Sequence, residues 1–138
     1  MENNNQIEQE IEFLESFINA SEKQITILTQ GMEDYGKALA ILQSKEIDQA
    51  SETLISLGGG VFSKGRIEKN GSVLVAIGSD VFIEEESSST ELRLRSLIDE
   101  VRSSIDNLNK QRADAVRRYQ AIISAINNSR KEQDVTKR

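Results

Sequence analysis

Two parts of the sequence hold residue types that could do chemistry. Residues 58–65 read GGGVFSKG, and carboxylates gather as Glu84-Glu85-Glu86 and as Glu8, Glu10 and Glu12. A glycine run can cradle phosphate on its backbone N–H groups, and paired carboxylates can hold a metal or move a proton. Neither pattern is completed. The run lacks the G-x-x-x-x-G-K-S/T order of a P-loop, and Ser63 stands where G-x-G-x-x-G needs its last glycine. The chain has no histidine and no cysteine, which removes the commonest general base, the thiol nucleophile and the soft metal ligands. The carboxylates therefore read as solvated surface. No catalytic residue, metal or cofactor is expected.

Composition points the same way. With 138 residues the chain makes one domain at most, and its 37% hydrophobic and 4% aromatic content is thin for a globule. Proline is absent, so long helices run uninterrupted. Absence of cysteine fits a reducing compartment. No apolar run approaches a membrane span, and MENNNQIEQE has neither a basic start nor an apolar stretch, so a cytoplasmic protein is expected. The net charge of −6 is uneven. Residues 1–50 carry ten acidic and three basic side chains, and residues 88–138 carry seven acidic and eleven basic ones. The bases of the last third, among them Arg112, Arg117, Arg118, Arg130, Lys131, Lys137 and Arg138, alternate with acids and leave no nucleic-acid footprint.

Two arms carry heptad patterns. Ile7, Ile11, Leu14, Ile18, Ser21, Ile25, Leu28, Met32, Tyr35, Leu39 and Leu42 follow at spacings of four and three. So do Leu94, Ile98, Val101, Ile105, Leu108, Arg112, Ala115, Tyr119, Ile122 and Ile126, after a Ser/Thr helix start at 87–90. In an antiparallel fold-back, paired positions add to a constant. That constant is 133 from Leu39 with Leu94 to Ile7 with Ile126, and the polar pair Ser21 and Arg112 obeys it too. Registers shifted by a heptad do not bring the two polar residues together. The competing arrangement pairs each arm with another chain. Arg112 either sets the register against Ser21 or reaches past the seam to water. Arms of roughly 40 residues are about 60 Å long at 1.5 Å per residue.

Between the arms, ETLISL (52–57), VFSKGRI (61–67), SVLVAI (72–77) and VFIE (81–84) read as four short strands broken by glycine turns. SLGGGVFSK and AIGSDVFIE echo each other at an offset of 20 residues, which predicts two similar hairpins joined near Asn70-Gly71. The fold class is therefore α+β, a long antiparallel α-helical coiled coil whose two helices are joined by two β-hairpins. Its parts are residues 1–50 (first helix), 51–86 (hairpins), 87–130 (second helix) and 131–138 (a polar, frayed tail). SVLVAI is apolar on both faces and lone hairpins are marginal in water, so the hairpins read as an assembly element.

The stretch from ETLISLGGGVFSKGRI to SVLVAIGSDVFIEE resembles the prefoldin alpha subunits, in the pattern L-G-x-G-x-F-x-x-G followed by V-L-V-x-x-G-x-x-V-F-x-E. Two hairpins look like the alpha class rather than the beta class, and with the arms the resemblance spans essentially the whole chain. Ser63 replaces a frequent aliphatic residue, and Ser79-Asp80 a more usual small pair. The resemblance implies a hetero-hexamer of two alpha and four prefoldin beta subunits on a β-barrel base. It further implies an ATP-independent holdase whose coiled-coil tips hold non-native client proteins and pass them to a group II chaperonin. From the mixed charge of the last third and the lack of a long apolar run, neither a nucleic-acid nor a membrane partner is expected.

On the fold-back, the expected client-binding residues are Ile7, Ile11, Phe13, Leu14, Phe17, Ile122, Ile123 and Ile126. Phe17 at position g and Ile123 at e either widen the seam or join the binding surface, whereas Phe13 at c lies off the seam. The expected subunit-assembly residues are Leu54, Leu57, Val61, Phe62, Ile67, Val73, Leu74, Val75, Ile77, Val81, Phe82 and Ile83. The alternative reading is a structural coiled-coil spacer that oligomerises through its hairpins and binds one specific partner. A binder of nucleic acid or membrane surface through the C-terminal bases is a further alternative.

Overall fold

Leu, Ile, Glu, Gln and Lys dominate both arms, and with no proline to remove a backbone donor each arm forms one continuous helix. The structure is a computed structural model, and it describes residues 2–46, 52–68 and 71–137. Helix α1 runs Glu2–Gln43, after which the Ser44 N–H bonds the Ile41 carbonyl at 3.2 Å. Strands β1 (Thr53–Gly58) and β2 (Val61–Gly65) pair antiparallel, as do β3 (Ser72–Gly78) and β4 (Val81–Glu86). Helix α2 runs Ser87–Thr136. The four strands and two helices match the elements expected from the pattern. Parts of the expected first helix, at 47–50, and of the expected Asn70-Gly71 join lie outside the described residues. α2 continues six residues past the expected end at 130. The tail's Arg130, Lys131, Glu132 and Gln133 are good helix formers, and no glycine or proline stops them.

The two hairpins are copies in geometry as well as sequence. Each has a bulge just before its turn, between Ser56 and Gly58 in one and between Ala76 and Gly78 in the other. The two-residue turns are Gly59-Gly60, with φ of 60° and 77°, and Ser79-Asp80, with φ of 50° and 57°. Positive φ at both central residues matches the right-handed twist of the flanking strands. Glycine adopts it freely, and aspartate tolerates it better than most side chains.

The described chain forms two compact units. One comprises residues 2–31 and 101–137, the other residues 32–100. In the first, numbering rises along α1 as it falls along α2: Glu15 accepts from Tyr119 Oη at 3.0 Å, and Glu22 from Arg112 Nη1 at 2.9 Å. The helices are antiparallel neighbours within the chain, in the expected register. Leu14, Ser21 and Ala115 are buried at 8%, 4% and 8% exposure, and the other seam residues of this unit are half-buried apart from Ile7. Arg112 meets Glu22, the neighbour of buried Ser21, so its charge is neutralised beside the seam rather than within it.

In the second unit, β3 lays Val73 and Val75 beside Tyr35, Leu42, Leu94 and Leu97 around an open apolar groove. Leu94 and Thr90 are its buried residues, at 7% and 5% exposure. Among the described residues no side chain is completely buried. The interior of each unit is a strip rather than a core.

The turn geometry makes a prediction. Gly60→Val puts a β-branched residue at φ 77° and should cost about 1–2 kcal/mol. Asp80→Gly should be neutral or stabilising by less than about 1 kcal/mol, because relief of the left-handed strain opposes a looser unfolded chain. Thermal unfolding of the two variants should move in those directions. Equal midpoints for Gly60→Val and the parent chain would contradict the turn assignment.

Candidate functional site

Among the described residues, no group of histidine, cysteine, aspartate or glutamate is placed to hold a metal ion. Three of the six clustered carboxylates, Glu84, Glu85 and Glu10, make local bonds. Ser72 Oγ donates to Glu84 Oε1 at 2.7 Å. Glu85 Oε2 accepts from Thr90 Oγ1 at 2.7 Å and from Arg93 Nη2 at 2.8 Å. In the other cluster Arg118 Nε donates to Glu10 Oε1 at 2.7 Å. What the chain offers to other molecules is therefore apolar surface, and it lies in two places.

The first is in the unit that holds both helix ends. Phe13 is 67% exposed, and its ring stacks on that of Phe17, with centroids 6.3 Å apart and planes 23° from parallel. Phe17 itself is half-buried, as is Ile123 on α2, so both flank the seam while still presenting surface. Ile7 is 37% exposed and Leu14 only 8%. Ile11, Ile122 and Ile126 are half-buried. The register sets Ile11 opposite Ile122 and Ile7 opposite Ile126, so residues more than a hundred positions apart in sequence share one end of the helix pair. An aromatic pair on the outside of a two-helix seam is surface the seam itself does not use.

The second lies on the strands. Hairpin register puts Val73, Val75, Ile83 and Glu85 on one face of β3–β4, and Leu74, Ala76, Phe82 and Glu84 on the other. Val73 and Val75 are half-buried against the helices, whereas Leu74 is 71% and Phe82 59% exposed. Ile77, Val81 and Ile83 are exposed as well. On β1–β2 the residues Leu54, Leu57, Val61 and Phe62 are all exposed, and so is Ile67 just after β2. The two pairs form separate two-stranded sheets, so each described strand has one edge that pairs with no other described strand.

Sequence reasoning missed the polar tie that orients β3–β4. Glu85 lies on the helix-facing side of β4, its carboxylate bridges Thr90 and Arg93 in the first turns of α2, and the Ser87 N–H bonds the Gly71 carbonyl at 2.9 Å. The Ser/Thr cluster at 87–90 marked the helix start, and the Thr90 hydroxyl there reaches both the Glu85 carboxylate at 2.7 Å and the Glu86 carbonyl at 3.2 Å. Nothing in the sequence separates Glu85 from Glu84 and Glu86; only the alternation of the strand does. Exposed Ile27, 64% open at a position c like Phe13, was also passed over, although its heptad position was readable.

The Arg93 guanidinium, and then the Thr90 hydroxyl, hold the Glu85 carboxyl below the ordinary glutamate value of 4.5. A group with a lowered folded value contributes stability that is complete above its unfolded value and is lost as pH falls through the folded one. The docking of β3–β4 on α2 should therefore weaken on acidification below about pH 4.5. Glu85→Gln should remove that component of the acid dependence and open β3–β4 to amide exchange at neutral pH. Identical acid profiles for the parent and Glu85→Gln would contradict the tie.

Comparison with known proteins follows this geometry. Residues 7–132 match the prefoldin family, described as prefoldin subunit. The chain is 28% identical over 116 residues to the prefoldin subunit alpha of Thermoplasma acidophilum, covering 84% of this chain and 89% of the relative. It is 33% identical over 90 residues to that of Thermoplasma volcanium, covering 65% and 69%. The cryo-EM structure of filamentous PFD from Methanocaldococcus jannaschii shares the fold, with a TM-score of 0.65 at 16% identity over 86% of this chain and 98% of that one.

Proposed function

The chain belongs to the prefoldin family, and on that premise we propose that it is the alpha-type subunit of an ATP-independent holdase in the cytoplasm. It assembles with prefoldin beta subunits, two alpha to four beta, captures non-native client proteins at the ends of its helix pair and delivers them to a group II chaperonin. Family members are chaperone-like subunits, and neither a cofactor nor a catalytic group enters the proposal.

The exposed Phe13, stacked on Phe17, is the observation that carries it. Burying one such side chain contributes about 1.5–3 kcal/mol, which is weaker than a millimolar contact at about 4 kcal/mol. One helix pair therefore releases its client readily. Several pairs engaging one chain gain roughly 10²–10⁴ in avidity. Weak single contacts with strong joint binding are what capture and hand-off both require, without nucleotide hydrolysis. Ile7, Ile11, Leu14, Ile122 and Ile126 join the contact surface as the seam opens at its ends, and Ile123 adds to the rim. Assembly draws on the open strand edges and on Leu54, Leu74, Phe62 and Phe82, which are more than half exposed in the single chain. The basic residues Arg112, Arg117 and Arg118 pair with Glu22, Asp114 and Glu10, which argues against a nucleic-acid surface on α2. No described helix is long and apolar enough to cross a membrane.

Replacing Phe13, Phe17 and Ile123 together by serine in the assembled hexamer tests the assignment. The mass of the complex should stay unchanged, and suppression of aggregation of unrelated denatured proteins should drop several-fold. Undiminished suppression would remove these residues from the client site. A parent complex that protects no denatured protein would instead behave as a spacer.

A further inference from the structure

Helix α1 carries a second track that its pairing with α2 leaves open. Phe13, Phe17, Ala20, Gln24, Ile27 and Gly31 follow one another at spacings of four and three, the rhythm of the seam itself. At 3.6 residues per turn they lie within about 40° of one line along the helix, over a length of about 27 Å. Phe13 and Ile27 are 67% and 64% exposed, and Ala20 and Gln24 are exposed too. A Cβ placed on Gly31 would meet no atom within 4 Å. Glycine inside a helix costs roughly 0.5–1 kcal/mol relative to alanine, and no packing within the chain uses the space it leaves. Two phenylalanines, an isoleucine and two small residues in heptad spacing form the face that a coiled coil offers to a further helix.

Charge narrows the occupant. Residues 2–31 carry six carboxylates and a single lysine. Glu10, Glu15 and Glu22 bond Arg118, Tyr119 and Arg112 on the side of α1 that meets α2. Glu2 lies in line with the track and Glu12 near its outer border, both exposed; exposed Lys23, between Ala20 and Ile27, is the one base on that border, and residues 2–31 keep five more carboxylates than lysines. A helix laid there meets an apolar stripe in a negative field.

We propose that this track binds an amphipathic helical segment of a non-native client whose apolar stripe is bordered by lysine or arginine. The proposal rests on the client-holding function above and adds a selection rule to it: the surface chooses by helical periodicity and positive charge as well as by hydrophobicity. An extended segment repeats every two residues and cannot follow a four-three track.

The test uses the assembled complex and fluorescent three-heptad peptides. One has leucine at the seam positions and lysine at the flanks. A second has the same composition with leucine and lysine alternating. A third keeps the helical pattern with glutamate in place of lysine. Anisotropy titrations should show the first binding about tenfold or more tightly than the other two, with affinity falling as salt is added. Ala20→Lys combined with Ile27→Lys, both at exposed positions, should weaken the first peptide by about tenfold. Ala20→Gln with Ile27→Gln serves as the uncharged version if the lysines disturb assembly. Equal binding of the first two peptides, or unchanged affinity in both double variants, overturns the proposal. If the double variants bind normally while the Phe13, Phe17 and Ile123 serine variant loses aggregation suppression, the track fails and the holdase reading stands. If the serine variant suppresses aggregation undiminished, the client site assigned above fails, and with it the Phe13–Phe17 end of the track.

Discussion

The pairing of α1 with α2 depends on one alignment, in which Ser21 and Glu22 lie beside Arg112. A heptad seam is nearly indifferent to a slip of seven residues, because apolar side chains meet apolar side chains again. Such a slip moves Arg112 about 10 Å along α1, away from Glu22 and against Leu14 or Leu28. An exposed ion pair contributes only about 0–1 kcal/mol, so the bond itself does little for stability. The discrimination lies in the alternatives: each sets the guanidinium against a leucine instead of Ser21, and only the slip that brings it beside Glu15 leaves a carboxylate at the place of Glu22. Glu10 with Arg118 and Glu15 with Tyr119 repeat the choice further along the same unit.

A second polar contact does for the strands what Arg112 does for the helices. Glu85 reaches from β4 to Thr90 and Arg93, so the face of β3–β4 that carries Val73 and Val75 turns inward and the face with Leu74 and Phe82 turns outward. Both faces are apolar, so hydrophobicity alone would leave the hairpin free to dock either way round. The carboxylate decides which apolar face remains exposed.

Stability and binding draw on the same side chains. No described side chain is completely buried, so each helix pair is held by a long strip of half-covered residues. A strip has edges, and Phe17 and Ile123 sit on them, partly committed to the pair and partly available. Phe13 and Ile27 have left the strip altogether. The exposed apolar surface is thereby distributed along a helix instead of being shaped into one pocket.

The elements, the fold-back register and the two hairpins were legible in the sequence because each is a periodic or local property. Spacings of four and three mark helix faces, the constant sum of 133 marks the pairing, and Gly59-Gly60 and Ser79-Asp80 mark turns through the backbone angles they permit. The position of Phe13 off the seam was legible for the same reason. The role of Glu85 among three consecutive glutamates was not, and neither was the bond from Thr90 back to that strand residue. Those were decided by the face a strand residue takes and by what packs across from it. Local chemistry and periodicity are written in the order of residues, whereas the choice between two equally apolar faces depends on a contact between segments that only the folded chain brings together.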